Sequence, residues 1–275
     1  MLKRHFSPFY LLLFFMFLGS VTPLHAKTMK VIAGTSLIED IVHDLSGGQA
    51  EVITIIKGSS CPGHETVKTT DFVFAAQADM IIVHSFQQKM SWLTGIKEAI
   101  KDRNQRLVVL NPNGSWLIPE VQKNAVLDIA KALCRVFPEA AQTIDARARK
   151  RLARVDAAGD EIRTRLASVK GKAVVVADMQ AEFVAWAGLE VLRSYGRAED
   201  MHTREVTRLI DELRGRSLAG VVDNYQSGST AGLPLAMELK IPHVVLSNFP
   251  GSSNNNRDYF NLLHDNADQL LKLGR

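Results

Sequence analysis

The sequence has few of the residues that define several common protein classes. It contains two cysteines in 275 residues, 7% aromatic residues and a formal net charge of +4. Two cysteines exclude a small disulfide-built domain, and so small a charge gives no reason to expect nucleic acid or an anionic membrane surface as a partner. Neither a Gly-X-Ser-X-Gly elbow nor a phosphate-binding glycine loop occurs. What remains, with 46% hydrophobic residues, is typical of a soluble globular protein.

A long apolar run is also missing, apart from one near the N-terminus. Lys3 and Arg4 precede an apolar run at 9–18, and Leu-His-Ala at 24–26 supplies a small-residue cleavage site. The run is well short of the roughly 20 residues that a membrane span needs. The pattern predicts a signal peptide at 1–26 that is cleaved on export to the periplasm.

The rest of the chain alternates short β-branched runs with segments of helical period, which is typical of α/β proteins with a mostly parallel sheet. Four strands are predicted in each half, at 30–33, 52–56, 80–83 and 107–110, and then at 173–176, 191–192, 220–222 and 243–246.

Between the halves, residues 138–169 contain no glycine except Gly159 and are rich in Ala, Arg, Glu, Asp and Leu. One helix of about 32 residues would be roughly 48 Å long; two helices broken near Gly159 are the alternative. We predict an α/β protein of two lobes, 27–137 and 171–275, each with a four-stranded, mostly parallel sheet and flanking helices. One long helix at 138–170 would join them.

The loop after the second predicted strand is rich in possible ligands. Residues 58–65 read Gly-Ser-Ser-Cys-Pro-Gly-His-Glu, which places the thiol of Cys61, the imidazole of His64 and the carboxylate of Glu65 within five residues. Open α/β sheets bind their ligands at the carboxyl ends of strands. Polar residues also follow the other strands, so two facing lobes would direct them all into one cleft.

Several stretches, in this order, resemble a known family. They are Val-Ile-Ala-Gly-Thr-Ser at 31–36, the Pro-Gly-X-X-Pro-His-like loop at 61–65, Ala-Asp-Met-Ile-Ile-Val at 78–83, Trp-Leu-Ile-Pro at 116–119 and Trp-Ala-Gly-Leu at 186–189. Together they resemble the solute-binding proteins of zinc and manganese ABC transporters, the ZnuA/TroA-like family. The resemblance implies a periplasmic protein that captures zinc, or else manganese, and delivers it to an ABC permease and its ATPase. We expect it to act as a monomer.

The resemblance implies a metal bound by three histidines and an acidic residue, or by two histidines with Glu and Asp, from both lobes. His64 stands where the first histidine belongs. Gly114 replaces the second, Ala177 the third, and Ser247 or Asn248 the acidic ligand. One ligand of the four therefore carries over.

Other side chains in the same cleft loops offer substitutes. Imidazole, thiolate and carboxylate together suit tetrahedral zinc better than calcium or magnesium, which prefer shells of oxygen ligands. The candidate metal ligands are His64, His84, Cys61, Glu65, Asp178 and Asp223.

Each candidate also has a structural interpretation. His84 follows a buried strand and would equally be a core histidine. Glu65 would be a carboxylate in the first turn of a helix, where the helix dipole stabilises it. Asp223 would be a strand-end turn residue. Cys61 would be a packed thiol or half of a disulfide with Cys134, whose geometry the sequence leaves open.

Two other functions remain open. Amide groups orient organic ligands more often than they bind transition metals, so Arg197, Asn224, Gln226 and Asn248 would line a site for a metal chelate or a small anionic solute, with Arg197 pairing with a carboxylate or phosphate. A thiol-dependent hydrolase with Cys61 as nucleophile and His64 as base is the alternative from another class. Since a cysteine three residues from its histidine is poor geometry for that pair, we predict a binding protein and not an enzyme.

Overall fold

The computed structural model describes residues 28–63, 67–100 and 107–274. These residues form two four-stranded sheets. The strands are β1 (Met29–Thr35), β2 (Ala50–Ile56), β3 (Met80–His84) and β4 (Leu107–Leu110) in the first sheet, and β5 (Ala173–Ala177), β6 (Glu190–Tyr195), β7 (Gly220–Asn224) and β8 (His243–Leu246) in the second. The strand orders are β2-β1-β3-β4 and β6-β5-β7-β8, and all the strand pairs are parallel. The predicted α/β fold with two lobes is confirmed.

The central strands are apolar because helices cover both faces of each sheet, so their side chains are buried on either side. Strand β3 is buried at every position, and so are four of the five residues of β5. The edge strand β6, in contrast, is mostly accessible. Continuous β-branched runs therefore identify the centre of each sheet.

Helices connect the strands. They are α1 (Ser36–Ser46), α2 (Thr69–Gln77), α3 (Ser91–Ala99), α4 (Pro119–Val136), α5 (Ala141–Arg165), α6 (Ala181–Trp186), α7 (Thr203–Leu213), α8 (Tyr225–Gly228), α9 (Leu233–Leu239) and α10 (Tyr259–Leu271). In the part of the chain that the structure describes, none of these helices is both long and apolar enough to cross a membrane. The predicted signal peptide, 1–26, lies outside the described residues.

The segment between the lobes is one helix, α5, which continues through Gly159 for 25 residues. It is shorter than predicted because its two flanks, Pro138–Ala140 and Leu166–Val169, form 3-10 turns. Gly159 does not break the helix but permits close packing, since a Cβ there would lie 2.8 Å from Cγ of Pro119. The glycine thus serves the contact between α5 and α4.

The two lobes share a core. Buried side chains of both sheets and of α4, α5 and α10 belong to one contiguous hydrophobic cluster. Where the lobes meet, Ser36 Oγ donates to the Pro250 carbonyl (2.7 Å) and Gln226 Nε2 donates to the Gly58 carbonyl (2.8 Å). So extensive a connection favours small tilts of the lobes over a wide hinge motion.

Candidate functional site

A cavity of about 590 Å³ lies between the lobes, at the carboxyl ends of both sheets. In each sheet the order of strands reverses at this edge, between β1 and β3 and between β5 and β7, and open α/β sheets bind ligands at such a switch point. Side chains that line the cavity include Cys61, His84, Trp116, Asp178, Arg197 and Asn248. The two lobes therefore contribute to one site, as the cleft prediction requires.

His84, the last residue of β3, is the buried imidazole of this site. Its Nε2 lies 2.8 Å from Oγ1 of Thr35, the last residue of β1. The ring of Trp116 lies 4.0 Å from it between centroids, and the ring of Phe86 lies 5.2 Å away. Burial among these groups lowers the pKa of His84 to about 3, so the imidazole is neutral. Its Nδ1 has no hydrogen-bond partner among the described residues.

Gln87 holds the backbone that carries His84. The backbone N–H of His84 donates to Oε1 of Gln87 (2.8 Å), and Nε2 of Gln87 donates to the Gly34 carbonyl (2.9 Å). Gln87 is fully buried. It ties β3 to β1 at the point where the imidazole enters the cavity. The sequence assigns no role to this glutamine, because its only signal is its place in a strand-end loop.

Cys61 lines the cavity as a free, partly buried thiol. Cys134 is also free and lies on α4, with its Sγ 3.6 Å from Oδ1 of Asp145 and 3.8 Å from the Ala141 carbonyl. A disulfide between the two cysteines is therefore not formed. Its absence leaves the Cys61 thiol available to the cavity.

Two exposed carboxylates line the cavity from the second lobe. Asp178 begins the 3-10 turn after β5, and Glu182 lies in α6. Oε2 of Glu182 accepts a hydrogen bond from the backbone N–H of Ser115 (2.6 Å), across the gap between the lobes. Glu182 thus joins the lobes beside Gly114, while Asp178 remains the acidic side chain with access to a ligand.

Asp223 does not line the cavity, which corrects its prediction as a metal ligand. Its carboxylate is fully buried and accepts hydrogen bonds from Tyr195 Oη (2.7 Å), the Gly232 N–H (3.0 Å to each oxygen) and His243 Nε2 (2.6 Å). Successive side chains of a strand point to opposite faces. Asn224 consequently borders the cavity, whereas Asp223 points to the layer of α7 and α9.

An amide network forms the wall of the second lobe. Nε2 of Gln180 donates to Oδ1 of Asn224 and to Oδ1 of Asn248, both at 3.0 Å. Asn224 in turn donates to Ser227 Oγ (2.9 Å). Oε1 of Gln226 accepts the backbone N–H of Asn248 (3.0 Å). Asn224 and Gln226 are thus satisfied within the protein.

Two donors in the cavity keep free hydrogens. Nδ2 of Asn248 has no partner in the described part of the chain, because Gln180 occupies only the amide oxygen. The guanidinium of Arg197 has a single carboxylate within reach among the described residues, Glu199 at 4.0 Å, which is too long for a hydrogen bond. Nη1 of Arg197 would lie 3.4 Å from a Cβ on Gly63, so the guanidinium reaches the loop of the first lobe.

The structure describes only some of the predicted metal ligands. His64 and Glu65 lie outside the described residues. Within 28–63, 67–100 and 107–274, no three His, Cys, Asp or Glu side chains converge closely enough to hold a metal ion. The structure brings Cys61, His84 and Asp178 to one cavity, but these three groups by themselves do not form a closed coordination shell.

Comparisons with known proteins identify the scaffold. The profile of the family described as "ZnuA: Zinc-uptake complex component A periplasmic" matches residues 31–273. Among solved structures, a crystal structure of ZnuA has a TM-score of 0.76 at 16% identity and covers 90% of this chain and 100% of that chain. No curated protein matches significantly.

A periplasmic metal-binding protein from Candidatus Liberibacter asiaticus is also similar. Its structure has a TM-score of 0.73 at 15% identity and covers 89% of this chain and 99% of that chain. The manganese-bound form of that protein has a TM-score of 0.74 at 14% identity, with the same coverage of both chains. At such identities these likenesses show the fold.

Proposed function

The chain belongs to the ZnuA family of periplasmic zinc-uptake components, and from this premise we propose that it captures zinc, or else manganese, between its lobes for delivery to an ABC permease and its ATPase. The observation that carries the proposal is the cavity at the carboxyl ends of both sheets, which contains the neutral imidazole of His84. The family consists of solute-binding proteins and not of enzymes. We therefore assign no catalytic role to Cys61.

The chemistry of His84 suits a metal ligand. An imidazole binds a metal through a neutral nitrogen, and its other ring nitrogen usually donates to a neighbour that fixes the tautomer. If Nε2–H donates to Oγ1 of Thr35, at 2.8 Å, Nδ1 carries the lone pair. We propose His84, Cys61 and Asp178 as ligands, together with His64 and Glu65 from the adjoining loop. Nitrogen, sulfur and oxygen donors of this kind favour zinc.

Capture would be followed by docking of the loaded form on the permease. The lobes share a core and several direct hydrogen bonds, so ligand binding would order the cleft loops and tilt the lobes slightly. We propose that the predicted signal peptide directs export and that the mature protein acts as a monomer.

Elemental analysis of mature protein purified without an affinity tag tests the proposal, followed by calorimetric titration of the chelator-stripped protein with zinc and with manganese. We expect stoichiometric zinc, and a lower affinity after His64→Ala or His84→Ala. The matched control is His43→Ala, since His43 is a half-exposed histidine that lies outside the cavity, next to Glu39. Unchanged affinity in both site variants would overturn the metal site.

A further inference from the structure

We propose that the cavity takes its metal as a complex with a small carboxylate-bearing chelator, whose carboxylate binds Arg197 and Asn248. This inference rests on the proposed function, because it adds the class of the cargo to a site that captures a metal. It is argued from three features of the cavity, which are its volume, the guanidinium of Arg197 and the oriented amide of Asn248.

The cavity is larger than a metal ion requires. A water molecule occupies about 30 Å³, so an ion with about six waters fills roughly 200 Å³. The cavity measures about 590 Å³, which lies within the range of roughly 300–1,000 Å³ that is typical of sites for small organic molecules. After a metal is bound, space remains for a chelator of several carbon atoms.

The free guanidinium of Arg197 indicates an anionic group on the cargo. It borders the cavity, has side-chain exposure of 44%, and is 4.0 Å from the carboxylate of Glu199. A carboxylate on the cargo would accept two parallel hydrogen bonds from the guanidinium, which is the strongest geometry for such a pair.

Asn248 presents a second donor because its orientation is determined by its neighbours. Gln180 donates to its Oδ1, and Gln226 accepts its backbone N–H, so the NH₂ group is the part left for a ligand. An NH₂ group donates to an anion and does not bind a metal. The second lobe thus offers donors at Arg197 and Asn248, while the first lobe offers the imidazole of His84.

A competition experiment tests the inference. Chelator-stripped full-length mature protein is titrated with zinc alone, and with zinc in the presence of excess citrate or excess histidine. If the protein binds only free zinc, excess chelator lowers its apparent affinity in proportion to the free zinc that remains. If it binds the complex, the affinity for total zinc with at least one chelator stays at least tenfold above that expectation.

The variant Arg197→Gln should abolish this excess. Arg193→Gln is the matched control, since Arg193 lies on the same strand-and-loop segment but pairs with Glu212 away from the cavity. Apparent affinities that follow free zinc with both chelators, or an excess that survives Arg197→Gln, would overturn the inference while the proposed function stands. Equal binding of a metal-free chelator would also overturn the inference, and failure to bind zinc or manganese in any form would overturn both.

Discussion

Gly58→Ala is the substitution that most directly tests how the lobes are joined at the cavity. Gly58 lies in the loop after β2, and a Cβ there would be 2.0 Å from the Pro250 carbonyl oxygen and 2.5 Å from the Gly251 carbonyl carbon. Both atoms belong to the backbone of the opposite lobe, so rotation of a side chain cannot relieve the clash. One loop must move away from the other.

The cost can be worked out from the contacts at this point. Displacement would break the hydrogen bonds from Gln226 to the Gly58 carbonyl and from Ser36 to the Pro250 carbonyl, each worth about 1 kcal/mol. The added methyl group costs about 1–3 kcal/mol where packing is tight. We therefore expect the free energy of unfolding to fall by about 3–5 kcal/mol, and Tm by roughly 6–20 °C in a protein of this size.

Denaturant unfolding and zinc calorimetry on the same protein measure both consequences. The affinity should fall as well, because the cavity depends on the same loops. Gly63→Ala is the matched control, since its Cβ would make only ordinary contacts, 3.4 Å from Arg197 Nη1 and 4.0 Å from Cys61 Sγ. A stable Gly58→Ala protein, or an equal loss in Gly63→Ala, would refute the reasoning.

Three further predictions concern buried ionisable side chains. Arg151 is 1% exposed and forms ion pairs with Asp40 and Asp44, so Arg151→Met should lower the free energy of unfolding by about 3–5 kcal/mol. Adding Asp40→Asn to this variant should restore part of the loss, and no recovery in denaturant unfolding would contradict the pairing. Asp223→Ala should lower the free energy of unfolding by about 2–4 kcal/mol through its lost hydrogen bonds and leave the zinc affinity unchanged. A fall in zinc affinity by calorimetry would show that Asp223 contributes to the metal site. The pKa of His84 is about 3 in the folded protein instead of 6.5, so between these pH values the unfolded chain binds more protons than the folded one. The free energy of unfolding should therefore fall by up to about 1.4 kcal/mol per pH unit on acidification from pH 6.5 towards 3. His84→Gln should flatten this slope in unfolding curves, and an unchanged slope would exclude a buried neutral imidazole.

Secondary structure was largely predictable because it depends on local patterns. The β-branched runs mark the strands, since only buried strands of a parallel sheet are apolar on both faces. The absence of breakers in 138–169 indicated one helix, and α5 runs through Gly159. The family was also recognisable from local patterns, because the short stretches typical of the family occur in the expected order along the chain. The profile match over 31–273 confirms the family.

The site was less predictable because it depends on the direction of side chains. Asp223 and Asn224 are neighbours in sequence, yet only Asn224 borders the cavity, since the strand alternates its faces. The sequence does not show which face of the sheet each of the last residues of a strand occupies, so Asp223 was wrongly assigned to the cleft. Gln180 and Gln87 are buried residues that support the site through distant partners. Gln180 binds side chains 44 and 68 residues away. Gln87 links His84 to Gly34, which is 53 residues away in sequence.

The sequence alone determined the alternation of strands and helices, the two lobes and the family, because these follow from periodicity and from short stretches in a given order. Tertiary structure decided which polar groups are consumed by the protein and which are left for a ligand. Asn224 and Gln226 are satisfied internally, while Asn248 and Arg197 keep free donors. The physical reason is that hydrogen-bond satisfaction depends on contacts between distant segments, which form only when the two lobes pack together.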